Sequence, residues 1–205
     1  MNKKLKTAIF SFIIFITLLI SGCKNIHENF YNHDHDVYNR DVYNHDVYNH
    51  DEDNHDIEVG FSPGHTASKI IISAIEKSKR SILIAAYSFT SKPIALALVK
   101  AQKRGVHVHL VVDKKVNTSR YTAVTYLVNH FVPVRFNDKY SIMHDKFMII
   151  DNISVETGSF NYTQSAMFRN AENVIYIKNR RDIARQYLRE FDRLWNEGID
   201  AKPTY

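Results

Sequence analysis

The chain has 205 residues, 44% of them hydrophobic, with 27 Lys and Arg against 22 Asp and Glu, a formal net charge of +5. A single cysteine excludes an internal disulfide, so any fold must rest on an apolar core. The length allows one domain plus extra segments. Charge is unevenly spread. Residues 1–23 hold three Lys and no acid, residues 24–56 hold two basic and nine acidic residues, and residues 57–205 hold 22 basic and 13 acidic residues. The C-terminal part is thus strongly basic, as suits a phosphate-backbone partner, although a solvated charged surface reads the same way.

Residues 1–23 read as a signal segment. Lys3, Lys4 and Lys6 form a positive start, and Ala8 to Ile20 is an apolar run too short to span a bilayer comfortably. The ending Leu19-Ile20-Ser21-Gly22-Cys23 resembles the lipobox of bacterial lipoproteins. That resemblance implies cleavage before Cys23, lipidation of that residue and stable anchoring by several acyl chains, hence an extracytoplasmic location. The competing reading is an ordinary secretory signal with an incidental cysteine.

Residues 24–56 are a low-complexity tether. The pentad Asp36-Val37-Tyr38-Asn39-Arg40 recurs at Asp41 to His45 and at Asp46 to His50, with a degenerate copy at Asp51 to His55. A period of five matches neither helix nor strand, and an acidic, aliphatic-poor segment cannot bury enough surface to fold. Weak metal capture by His27, His33, His35, His45, His50 and His55 is the sharper alternative.

From residue 57 the pattern alternates. Strands are expected at Ile57–Phe61, Ser81–Tyr87, Val106–Val112, Val132–Phe136, Lys146–Asp151, Ser154–Thr157 and Val174–Lys178. Helices are expected at Thr66–Lys79, Lys92–Arg104, Arg120–Asn129 and Arg180–Asn196, the last facing the core with Ile183, Tyr187, Leu188, Phe191 and Trp195. Such alternation predicts an α/β sandwich, a mixed central sheet flanked by helices. Residues 57–205 are ample for one core.

The chemistry gathers at His144-Asp145-Lys146-Phe147-Met148-Ile149-Ile150-Asp151, which fits H-x-K-x-x-x-x-D, and at Gly158-Ser159-Phe160-Asn161, which fits G-S-x-N. Two short strands and a tight turn would bring both to one place. Glu172-Asn173 then precedes another apolar run. This set resembles the phospholipase D superfamily, closest to its small bacterial endonucleases with one copy of the motif. The resemblance covers roughly Ile57 to Tyr205. It implies a phospholipase D-like fold and phosphodiester cleavage through a phosphohistidine.

The residue types suit that chemistry. A neutral imidazole divides one hard displacement into two easier ones, and a protonated imidazole donates to the leaving oxygen. Lys146 would face the non-bridging oxygens, with Ser159 and Asn161 adding neutral donors. Glu172 would orient an imidazole. Asp151 reads as bracing its turn more than as a direct catalyst, and Asp145 should face away from His144 and Lys146.

Lys114, Lys115 and Arg120 follow a strand end, where ligands gather in open α/β sheets, so they are substrate-binding candidates. Phe89 is a candidate for base stacking, with core packing the stronger reading. His107 and His109 read as structural.

The leading reading is a metal-independent endonuclease without cofactor, cutting DNA or RNA with little sequence preference and anchored through Cys23. A phospholipase acting on lipids near its anchor is the alternative. A non-catalytic, surface-tethered binding lipoprotein is the third. One motif copy supplies one histidine, so the resemblance also implies a homodimer with a shared active site.

Overall fold

The computed structural model describes residues 56–119 and 122–203. The signal segment with Cys23, the pentad repeats and Arg120 lie outside them. The strands are β1 (Ile57–Ser62), β2 (Ser81–Ala86), β3 (His107–Asp113), β4 (Val134–Asn137), β5 (Lys146–Ile150), β6 (Ser154–Gly158), β7 (Glu172–Ile177) and β8 (Ile199–Asp200). The helices are α1 (Thr66–Lys77), α2 (Lys92–Lys103), α3 (Lys114–Asn117), α4 (Val124–Asn129), α5 (Gln164–Phe168) and α6 (Arg181–Glu197).

All eight strands join one sheet in the order β1-β7-β6-β5-β2-β3-β4-β8. β2, β3 and β4 run parallel, which requires crossovers, and α2 and α4 supply them. Their apolar runs are buried on both faces, as parallel strands must be. β5, β6 and β7 form an antiparallel meander. The β5–β6 turn places Asp151 (φ 54) and Asn152 (φ 61) in the left-handed region, which these two residue types tolerate best, and Ile153 N–H closes it onto Ile150 C=O at 3.1 Å.

Two cores follow. On one face Ile71 and Ile75 of α1 and Leu98 of α2 pack against Ile84, Leu110 and Met148. On the other, Ala184, Phe191 and Leu194 of α6 cover Ala85, Val111, Phe147, Ile149 and Val155. Burying each large apolar side chain contributes about 1.5–3 kcal/mol. The expected α/β sandwich with a mixed sheet is the observed architecture.

One part of the sheet stays bare. A Cβ on Gly60 would lie 2.7 Å from the Ala67 backbone nitrogen, so Gly60 faces α1 and permits its close approach. The alternate residues of β1 therefore point the other way. Ile57, Val59 and Phe61 are 51%, 55% and 59% exposed, beside Ile175 and Ile177 of β7.

The expected helix from Arg120 starts only at Val124. Three short elements, α3, α5 and β8, have no counterpart in the sequence reading. Single side chains start the two helices: the Asp113 carboxylate accepts Val116 N–H, and the Thr163 hydroxyl accepts Ala166 N–H.

Candidate active site

The β5–β6 hairpin brings the two motifs to one end of the sheet. Lys146 opens β5 opposite Ala86, the last residue of β2. The chain leaving β2 places the Tyr87 ring against the His144 imidazole, centroids 4.7 Å apart and tilted 60°. The Lys146 Nζ sits 5.5 Å from the same ring and donates to the His144 carbonyl at 2.7 Å. Burial lowers the Lys146 pKa, while Asp145 and Glu172 oppose that shift. Asp145 does not turn away as expected: it stands in the same cleft as His144 and Lys146, and burial first and then Glu190 of α6 raise its pKa.

The loop before His144 is tied down. Buried Asp113 accepts Met143 N–H at 2.9 Å, alongside its cap to Val116. Lys115 donates to the Ser141 carbonyl at 2.8 Å, and Lys114 pairs with Asp138 at 2.5 Å.

The second motif turns off β6. Ser159 Oγ donates to Glu172 at 2.6 Å and accepts Asn173 N–H at 3.1 Å. Asn170 Nδ2 donates to the other Glu172 oxygen at 2.9 Å. The Asn161 amide oxygen is buried without a partner. An unpaired buried acceptor of this kind costs about 1–3 kcal/mol. An open cleft of about 410 Å³ is lined by His144, Lys146, Thr157, Gly158, Ser159 and Asn161, with Tyr187 reaching over from α6. A neighbouring recess of about 390 Å³, with Tyr140, Ile142 and Arg193, shares His144 and Asp145. His144 thus stands exposed between two hollows.

Behind the cleft, the turn is closed by a buried bond. Tyr162 donates to the Glu156 carboxyl at 2.7 Å, and its carbonyl accepts Thr90 and Ser91 N–H, each at 2.9 Å. Burial pushes the Glu156 carboxyl up to about 8, although the Tyr162 bond pulls it down. The folded state then holds a proton that the unfolded chain, titrating near 4.5, releases. That contribution to stability is fully present below about pH 4.5 and is lost as pH rises to about 8. Glu156→Gln keeps an acceptor for Tyr162 and has no proton to lose. Its stability should fall less between pH 5 and pH 8 than that of the wild type, by a few kcal/mol. Urea unfolding at both pH values checks this, and an unchanged difference overturns it.

His144, Lys146, Ser159, Asn161 and Glu172 therefore meet at one place. Asp151 does not join them. It stands past the far end of β5, a strand that spans roughly 13 Å. Its carboxylate accepts the N–H groups of Lys79, Arg80 and Ser81 at 2.6–3.1 Å, which is the bracing role. Lys114 and Lys115 do not line the cleft; both hold the loop before His144. Glu172 holds Ser159 and Asn170, and the ring lying against the imidazole is that of Tyr87. Phe89 is fully buried and belongs to the core. His109 packs edge-on to Trp195 at 5.1 Å. Tyr87, Asp113, Glu156 and Tyr162 escaped the sequence reading. Glu156 alone carried a signal, a lone acid on the core face of a strand.

Residues 71–195 match the family model described as cardiolipin synthase, PLD-like domain. A phospholipase D of Rickettsia prowazekii (strain Madrid E) is 38% identical over 131 residues, 64% of this chain and 63% of that protein. The chain thus spans just under two thirds of that relative's length. A mitochondrial cardiolipin hydrolase of Xenopus tropicalis is 31% identical over 135 residues, 65% of this chain and 64% of that protein. The crystal structure of Nuc, a phospholipase D family member from Salmonella typhimurium, aligns with a TM-score of 0.70 at 42% identity, covering 71% of this chain and 97% of that one. With this match, this sheet and this cleft, the chain belongs to the phospholipase D superfamily.

Proposed function

We propose that the chain is a metal-independent endonuclease that cuts DNA, and RNA if it is offered, through a phosphohistidine on His144. The observation that carries this reading is the convergence of His144, Lys146, Ser159 and Asn161 on one open cleft in a strongly basic domain. Neutral His144 attacks phosphorus, forming a P–N bond as the P–O bond to the leaving oxygen breaks. A protonated imidazole gives that oxygen its proton. The same imidazole, now neutral, takes a proton from water, which attacks phosphorus and releases His144. Lys146 steadies the charge on the non-bridging oxygens. Recognition rests on phosphates, so sequence preference is small.

The second imidazole comes from a second copy of the chain. The bare apolar face of β1 and β7 supports self-pairing, because Ser62 at the end of β1 lies opposite Glu172 of the site. A two-fold interface there would bring two sites together. Anchoring through Cys23 would place the dimer on the outer side of a bacterial membrane.

Cleavage of phospholipids is the second reading. The names of the Rickettsia and Xenopus relatives favour it. Plasmid nicking and phospholipid hydrolysis, compared on one preparation in excess EDTA, separate the readings. Among the described residues, no three His, Cys, Asp or Glu side chains group to hold a metal ion. Nicking is therefore expected to persist in EDTA. Loss restored by magnesium would overturn the phosphohistidine route, and lipid hydrolysis without nicking would move the substrate to phospholipid.

A further inference from the structure

We propose that the rings of His65 and Phe168 form a stacking platform for a nucleobase flanking the cleaved phosphate, an inference that rests on the nuclease reading above. The two rings meet edge to face, 5.5 Å between centroids and 69° between planes. Both are exposed, Phe168 by 48%. Single exposed rings are ordinary on a protein surface, whereas these two are in contact with each other.

Each ring is held from behind. His65 sits in the left-handed region at φ 69, immediately before α1. Its carbonyl accepts Lys69 N–H at 2.9 Å and the Ser68 hydroxyl at 3.1 Å, which fixes the backbone that carries the ring. Phe168 ends α5, whose other side buries Ala166 and Met167 in the core. Ser91 Oγ touches the Met167 sulfur at 3.1 Å. The helix is thereby pinned and turns Phe168 outward. A platform ordered in advance loses little freedom when a base arrives.

The platform connects directly to the site. Phe168 lies four positions before Glu172, at most about 14 Å of extended chain. Asn170 within that stretch bonds Glu172, and Glu172 bonds Ser159. A base one or two nucleotides from a phosphate at Lys146 would reach the rings. Arg169, also exposed, adds a cation for the intervening phosphate. Stacking tolerates every base, which agrees with recognition through phosphates. Exposed rings followed in the chain by a guanidinium suit a nucleotide.

The test compares a single-stranded oligonucleotide with methyl p-nitrophenyl phosphate, a diester too small to reach the platform. Phe168→Ala and His65→Asn should lose roughly tenfold more kcat/KM on the oligonucleotide than on the small diester, chiefly through KM. Phe168→Trp should restore it. Quenching of 2-aminopurine placed next to the cleavage position should weaken in Phe168→Ala. Equal losses on both substrates, or none on either, overturn the platform. So does a Phe168→Ala chain that elutes as a smaller species, since the rings would then serve self-association. Loss on phosphatidylglycerol vesicles alone assigns the rings to lipid and overturns it as well. If the wild type hydrolyses the small diester but neither binds nor cuts the oligonucleotide, the nuclease reading falls and takes the platform with it. If it cuts the oligonucleotide and the variants cut equally well, the platform alone falls.

Discussion

His144→Ala is expected to reduce turnover of a phosphodiester by roughly ten-thousandfold or more, the scale seen when a nucleophile is removed from a covalent mechanism. Folding should hardly change, because His144 is exposed and its ring contributes one contact, to Tyr87. Binding of nucleic acid should also survive, since Lys146 and the basic surface remain. Single-turnover kinetics with acid-trapped phosphoenzyme, beside thermal unfolding and filter binding, tests all three expectations. Residual activity within tenfold of wild type would show that another group attacks phosphorus. The same variant tests the shared site. Refolded with wild type in varied ratios, it should leave activity proportional to the square of the wild-type fraction, about one quarter at equal mixing. A linear dependence, with subunit exchange confirmed, would mean that each chain works alone.

Gly158→Ala is expected to damage the site from within the backbone. A Cβ there would lie 2.1 Å from the Asn173 carbonyl oxygen and 2.9 Å from its carbonyl carbon. These are main-chain atoms of β7, so no side-chain rotation gives relief. β6 and β7 must separate where Ser159 N–H bonds the Asn173 carbonyl at 3.1 Å. Overpacking of this kind costs about 1–3 kcal/mol, and more where the backbone must shift. Ser159 and Asn161 lie within three residues, and a displacement of about 1 Å in a positioning group costs roughly a hundredfold in rate. Both losses should appear together, the first in urea unfolding and the second in kcat. A stable Gly158→Ala chain with normal kcat would mean that the two strands part there without harm.

The fold was legible where burial imposes a period. In α6, Ile183, Tyr187, Leu188, Phe191 and Trp195 recur along one face and pack on the sheet. The run Ser81 to Ala86 is continuous because β2 is covered on both faces. The short helices α3 and α5 have no room for a period and begin through one capping side chain each. Ala123, which precedes α4, supplies no such cap. Within the site, the motif residues were legible because one hairpin carries most of them. Tyr87 and Asp113 were not, because they arrive from β2 and β3. Their nearness to His144 depends on β5 inserting beside β2, a pairing across some sixty residues that no local pattern records. The contacts of Lys114 and Lys115 were hidden for a related reason: their partners, Asp138 and Ser141, lie in a loop whose path the sequence leaves open.

The placement of β1 has a kinetic consequence. Among the described residues its only neighbour in the sheet is β7, and Val59 faces Ile175 more than a hundred residues later. Closing so long a loop is entropically costly and slow compared with the local β2–β3–β4 crossovers. Until β7 is in place, Ile57, Val59 and Phe61 have no strand to join, and Ser62 has no Glu172 opposite. Docking of β1 should therefore be a late event, occurring after the hairpin with His144 and Ser159 has formed. Hydrogen exchange should report β1 amides as the last of the strands to gain protection during refolding. A chain assembled in this order would bring His144, Ser159 and Glu172 together before β1 settles along β7.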